Sequence, residues 1–163
     1  MHRGADNPLI LALDAAGSSC SVAVGAGDRV LGAEHRAIAH GQAEALLPMV
    51  DGALRRTGLP AAALDLIAVT IGPGSFTGIR VGLAAAQGIA LGLDRPLIGV
   101  TGFEAVAAIC GPDSINCNCD LLVALESRRA DLYVQIFDAA GRPLGAPAAV
   151  LPKALPGFAQ AAV

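Results

Sequence analysis

The chain has 163 residues, a mass of 16.2 kDa and a net charge of −3, with 54% hydrophobic, 3% aromatic and 15% charged residues. So apolar and lightly charged a sequence excludes intrinsic disorder, and a compact fold of this mass hides about 68% of its unfolded surface, enough for a core without disulfide or metal staples. Lys153 is the sole lysine and adjacent basic pairs occur only at Arg55-Arg56 and Arg128-Arg129, which excludes the broad basic face that displaces counterions from nucleic acid.

Residues 8–14 read as a short apolar strand and 19–26 as a second, alternating through Cys20, Val22 and Val24. A turn at Gly27-Asp28 leads to a third strand over 29–38, and connections this short make antiparallel hairpins. A helix is expected from Gly41 or Gln42, because Ala43, Leu46, Leu47, Val50 and Leu54 recur at helical spacing and Gly58 supplies a stop. Pro48 is expected to kink that helix or delay its start. Residues 66–71 read as a buried strand, followed by Gly72-Pro73-Gly74-Ser75-Phe76-Thr77-Gly78-Ile79-Arg80 and a long helix to Leu93. A strand over 96–100 and a helix over 102–110 complete an α/β lobe with a mixed sheet across 8–110.

The polar stretch 111–120 reads as a linker. Residues 121–125 and 131–137 then open a second lobe over 121–163, crowded near its end by Pro143, Pro147, Pro152 and Pro156, which reads as reduced or truncated.

No run of at least 18 uninterrupted apolar residues is present. The longest, 81–93, is broken by Gln87 and closed by Arg80 and Asp94-Arg95, so no membrane association is expected. The first residues lack a signal-peptide pattern, so a cytoplasmic location is expected. Cys20, Cys110, Cys117 and Cys119 lack a zinc spacing and are expected to be reduced thiols.

At about 100° per residue, Gly78, Gly82, Ala85, Gly88 and Gly92 share an arc of about 120° on the long helix, with Val81 and Ile89 inside it and Arg80, Gln87 and Asp94 opposite. Each interior glycine costs about 0.8–1.0 kcal/mol relative to alanine, and close approach of another backbone is the natural compensation. That backbone is either the lobe's own sheet or a second subunit. Gly72, Gly74 and Ser75 precede a helix N-terminus, the geometry that holds anions, yet the run lacks both the P-loop and dinucleotide spacings. Either it cradles a phosphate or it is a turn capped by Ser75 or Thr77. Asp14, closing the first strand, is either a ligand beside nucleotide phosphates or a cap of the following turn. His2, His35 and His40 do not form a metal-ligand pattern, so no metal and no catalytic residue are expected.

IGPGSFTGIRVGLAAAQGIALG over 71–92, LALDAAGSSCSVAV over 11–24, HGQAEALLPMV over 40–50 and PLIGV over 96–100 together resemble the TsaB family of glycoprotease-like proteins. The resemblance implies a two-lobed fold of the actin, sugar kinase and Hsp70 type. It also implies a non-catalytic dimerisation subunit that serves threonylcarbamoyl modification of the adenosine next to the tRNA anticodon. The implied partners are a TsaD-like catalytic subunit, a TsaE-like ATPase and, for the subunit alone, a second copy, with tRNA met only indirectly. No intrinsic cofactor is implied, with ATP or ADP expected at the subunit junction. The implied interface maps onto 42–57 and 77–93, giving Leu46, Leu47, Val50, Leu54, Gly78, Val81, Gly82, Ala85, Gly88, Ile89 and Gly92 as partner residues. Asp14, Gly72, Gly74 and Ser75 remain the nucleotide candidates. The alternatives are a sugar-kinase-like ATP-binding enzyme and a metal-dependent peptidase.

Overall fold

The computed structural model describes residues 7–38, 41–110 and 119–161, and it divides into two compact units at Val100/Thr101. In the first unit β1 (Leu9–Asp14) buries Leu9, Leu11 and Leu13 on one face and leaves Ile10, Ala12 and Asp14 on the other, the alternation that a pleated strand imposes. It pairs antiparallel with β2 (Ser19–Ala26), which pairs antiparallel with β3 (Arg29–Ala37). On its other edge β1 runs parallel to β4 (Leu66–Thr70), and β4 parallel to β5 (Leu97–Val100), giving the order β3-β2-β1-β4-β5.

Two helices join this sheet. The first, α1 (Gln42–Thr57), packs on β2 and β3 through Leu46, Met49, Val50 and Ala53. It begins at Gln42 and runs through Pro48, where a kink or a later start was expected. Pro48 and Glu44 are both exposed, so the Glu44 carbonyl that the proline ring leaves without an N–H faces water, which lowers the cost. Gly32 of β3 brings the helix down, since a Cβ there would run into the Ala53 carbonyl. Arg56 then clamps Glu34 of β3 with Nε and Nη2 at 3.0 and 2.9 Å.

The second helix, α2 (Phe76–Leu93), lies against β4 and β1 beside α1. Gly78, Gly82, Ala86 and Ala90 are buried. The helix starts five residues before the apolar run 81–93, because residues 76–80 join it, and by length and composition alone its 18 residues suffice to cross a membrane. Here its small-residue face packs on the sheet, in one core with Leu11, Val22, Val24, Ile67 and Val69.

The second unit starts with α3 (Gly102–Ile109), whose first turn carries a capping box between Thr101 and Glu104. Phe103 and Ala107 join Val123 and Phe137 in a second core, so this helix packs with the second unit and the division falls earlier than 111–120, of which 111–118 lie outside the described residues. An antiparallel sheet follows, with β6 (Leu121–Glu126), β7 (Leu132–Phe137) and β8 (Ala148–Val150) in that order. It leads through a single tight turn at Pro152–Ala154 to α4 (Leu155–Ala161). Cys119 is disulfide-bonded, which corrects the expectation of reduced thiols for that residue. The spacing argument excluded a zinc pattern and carries no information on oxidation.

Candidate functional site

The glycine loop is built against the turn that follows β1. Gly72 adopts φ 111°, a left-handed conformation that favours glycine. Ser75 N–H donates to the Ala16 carbonyl at 2.6 Å, and the Ser75 hydroxyl accepts from Gly78 N–H at 3.3 Å, capping α2. A Cβ on Gly74 would run into the Ala16 carbonyl, and one on Gly78 into the Ala15 carbonyl. The glycines therefore admit the chain's own backbone. Two carbonyl oxygens, Ala15 and Ala16, face the loop where a phosphate would need donors. The loop does not fit a nucleotide phosphate, and the capped-turn reading describes it.

Asp14 has the same character. Its Oδ1 accepts from Ala16 N–H at 2.9 Å and from the Thr70 hydroxyl at 2.5 Å, so it holds the β1–β2 turn and ties β1 to the end of β4. Thr70 carries no motif, and only the parallel pairing of β1 with β4 reveals its role. Beside them Cys20 is buried, and burial first, then the nearby Asp14 carboxylate, push its thiol above the ordinary cysteine value. A thiol held in that form is a poor nucleophile. The Ser21 hydroxyl and His35 Nδ1 share an exposed hydrogen bond of 2.9 Å. His2 and His40 lie outside the described residues. Among the described residues, no three His, Cys, Asp or Glu side chains stand close enough together to hold a metal ion.

The structure splits the partner candidates. Leu46 and Val50 are buried between α1 and the sheet; Gly78 and Gly82 are buried beneath α2, where Gly82 faces Val69 and Ala15. Packing within the chain thus takes these four away from any partner. Leu54, Val81, Ala85 and Ile89 are half-buried against the same core. Leu47, Gly88 and Gly92 are exposed, and a Cβ on either glycine would meet nothing within 4 Å. The outer surface also holds residues absent from the candidate set. Leu91 is 86% exposed, and Phe76, 67% exposed, lies beneath the Arg80 guanidinium at 3.7 Å from its ring centroid. A cation held on an aromatic face still keeps its N–H groups for a partner. The signal for these residues was their place on the helix opposite the small-residue arc.

Known proteins resemble the chain over most of its length. The profile of the family described as TsaD: tRNA N6-adenosine threonylcarbamoyltransferase matches residues 36–153. The tRNA threonylcarbamoyladenosine biosynthesis protein TsaB of Escherichia coli (strain K12) is 36% identical over 124 residues, 76% of this chain and 52% of that protein. The chain thus spans about half the length of that relative. The structure of YeaZ from Pseudomonas aeruginosa superposes with a TM-score of 0.78 and 31% identity, over 89% of this chain and 68% of that one. A candidate N-acetylglucosamine kinase from Porphyromonas gingivalis, at 17% identity and a TM-score of 0.50 over 90% of this chain and 48% of that one, shares the fold alone. The mixed α/β lobe is of the actin and sugar kinase type.

Proposed function

The chain belongs to the tRNA N6-adenosine threonylcarbamoyltransferase (TsaD) family and is TsaB-like within it, and from that premise we propose that it is a non-catalytic scaffold in tRNA threonylcarbamoyladenosine biosynthesis. It engages a TsaD-like catalytic subunit through the outer face of α1 and α2, a TsaE-like ATPase joins the assembly, and alone it pairs with a second copy. ATP or ADP belongs to the junction between subunits in this reading, because the glycine loop is filled by the backbone of Ala15 and Ala16.

The observation that carries the reading is the exposed apolar face of the two helices. Leu47 and Leu91 stand out from it at 54% and 86% exposure, and Gly88 and Gly92 are exposed, with open space where a Cβ would stand, at a cost in helix propensity that no packing within the chain offsets. Such a face loses apolar area to a partner and lets its backbone approach closely.

The test is binding of the full chain to a TsaD-like catalytic subunit by calorimetry. Gly88→Leu, which fills open space and leaves the core untouched, is expected to weaken binding at least about tenfold, with an unchanged circular dichroism spectrum. Unchanged affinity would remove the interface from the reading.

A further inference from the structure

Strand β3 is an edge of the five-stranded sheet and pairs with β2 alone. Among the described residues, no backbone hydrogen bond leaves its other side for a second element. The strand is nine residues long, holds no proline, and leaves Arg29, Val30, Ala33, His35, Arg36 and Ala37 exposed. A register shift opposite Val24 and Gly25 sets Leu31 outside the ladder, so residues 32–37 are its regular stretch, about 20 Å of strand. An edge in this state presents a row of N–H and C=O groups ready to pair with another extended chain.

The register with β2 sorts the side chains of β3 by face. Arg29, Glu34 and Arg36 stand opposite Ala26, Val22 and Cys20, on the side where α1 covers the sheet. Ala33, His35 and Ala37 stand opposite Ala23, Ser21 and Ser19, on the other side. Arg56 of α1 occupies the Glu34 carboxylate at 2.9 Å, which neutralises the one acid of the strand. Among the described residues Arg29 and Arg36 make no ion pair, and Asp28, in the turn before β3, pairs with neither. The α1 side of this edge is thus cationic in a chain of net charge −3.

We propose that β3 accepts, as an added strand, an extended segment of a protein partner that carries acidic side chains at alternate positions, facing Arg29 and Arg36, and small or apolar ones facing Ala33, His35 and Ala37. Backbone pairing supplies the affinity, and the alternation selects the partner. A second copy of β3 does not fit, because it would bring the same cations to the junction. The edge is a different surface from the outer face of α1 and α2, and the proposal does not rest on the scaffold reading.

Amide hydrogen exchange of the full chain, read by nuclear magnetic resonance at low salt, tests it with synthetic peptides. An octapeptide alternating Glu and Val is expected to slow exchange within residues 29–37, and its Lys and Val counterpart to bind at least about tenfold more weakly. Methylating every second backbone nitrogen of the acidic peptide leaves its charge intact. One of the two alternating patterns is expected to abolish binding and the other to keep it within about threefold, since an added strand pairs along one edge only. Arg36→Glu, at an exposed position, is expected to weaken the acidic peptide about tenfold or more, and Gly88→Leu to leave it unchanged. Absent protection, equal binding of the two charge types, equal effects of the two methylation patterns, an indifferent Arg36→Glu, or protection lost in Gly88→Leu would each overturn the proposal. The scaffold reading is checked by calorimetry with the catalytic subunit, so either can fail alone.

Discussion

Gly78 and Gly88 share an amino acid, a helix and an arc, yet the structure gives them opposite reasons to be glycine. At Gly78 a methyl group would overlap the Ala15 carbonyl, so Gly78→Ala is expected to cost about 1–3 kcal/mol as loop and helix are forced apart. At Gly88 a methyl group meets open space, so Gly88→Ala is expected to stabilise the isolated chain by about 0.8–1.0 kcal/mol. Urea unfolding of both variants by far-ultraviolet circular dichroism checks the pair, and equal destabilisation would show that Gly88 also serves the fold. The sequence places both glycines on one arc. Its division was not legible, because a helical projection is fixed only up to rotation until the sheet is known to lie under Gly78, Gly82, Ala86 and Ala90. Asp14 shows the same limit from the other side. A carboxylate at a strand end is readable, while its partner Thr70 lies 56 residues away.

At the scale of elements, those whose boundaries are local were read closely, and those decided by distant partners were not. The three opening strands and the strands β6 and β7 follow from alternation and turn residues. β8 was missed because three residues between prolines offer no period to read. The stop at Gly58 is a left-handed residue, φ 67°, as its glycine suggests. Helix α3 is the element whose allegiance changed, since its apolar face is plain in sequence but the sheet it packs on is not. Its Thr101–Glu104 box carries a pH consequence. The Thr101 amide, then its hydroxyl, hold the Glu104 carboxyl below its ordinary value of 4.5. A lowered native value means the cap stabilises fully above 4.5 and is lost as the pH falls through that native value. Glu104→Gln is therefore expected to remove acid-side destabilisation of α3, read by comparing urea midpoints at neutral pH and below the ordinary carboxylate range. An unaltered acid-side loss would place its origin outside the cap.

At the scale of the molecule, the described residues form two cores with separate memberships, one around Leu11, Val22 and Ile67 and one around Phe103, Val123 and Phe137. Its single tyrosine, Tyr133, packs against the second core, and there is no tryptophan. Intrinsic fluorescence therefore reports the second unit, while circular dichroism reports both. The Glu104→Gln effect is expected to shift the fluorescence transition and Gly78→Ala the circular dichroism transition alone, and a common shift in both would show the units to unfold as one. The glycine loop bears on the molecule's energetics at this same scale. In a nucleotide-binding relative, folding and ligand occupancy are linked, so that stability rises with ligand concentration. Here the carbonyls of Ala15 and Ala16 stand in the loop, so the fold comes with its own permanent occupant. The melting temperature of the isolated chain is accordingly expected to be indifferent to MgATP, and its structural integrity to be uncoupled from the energy charge of its surroundings.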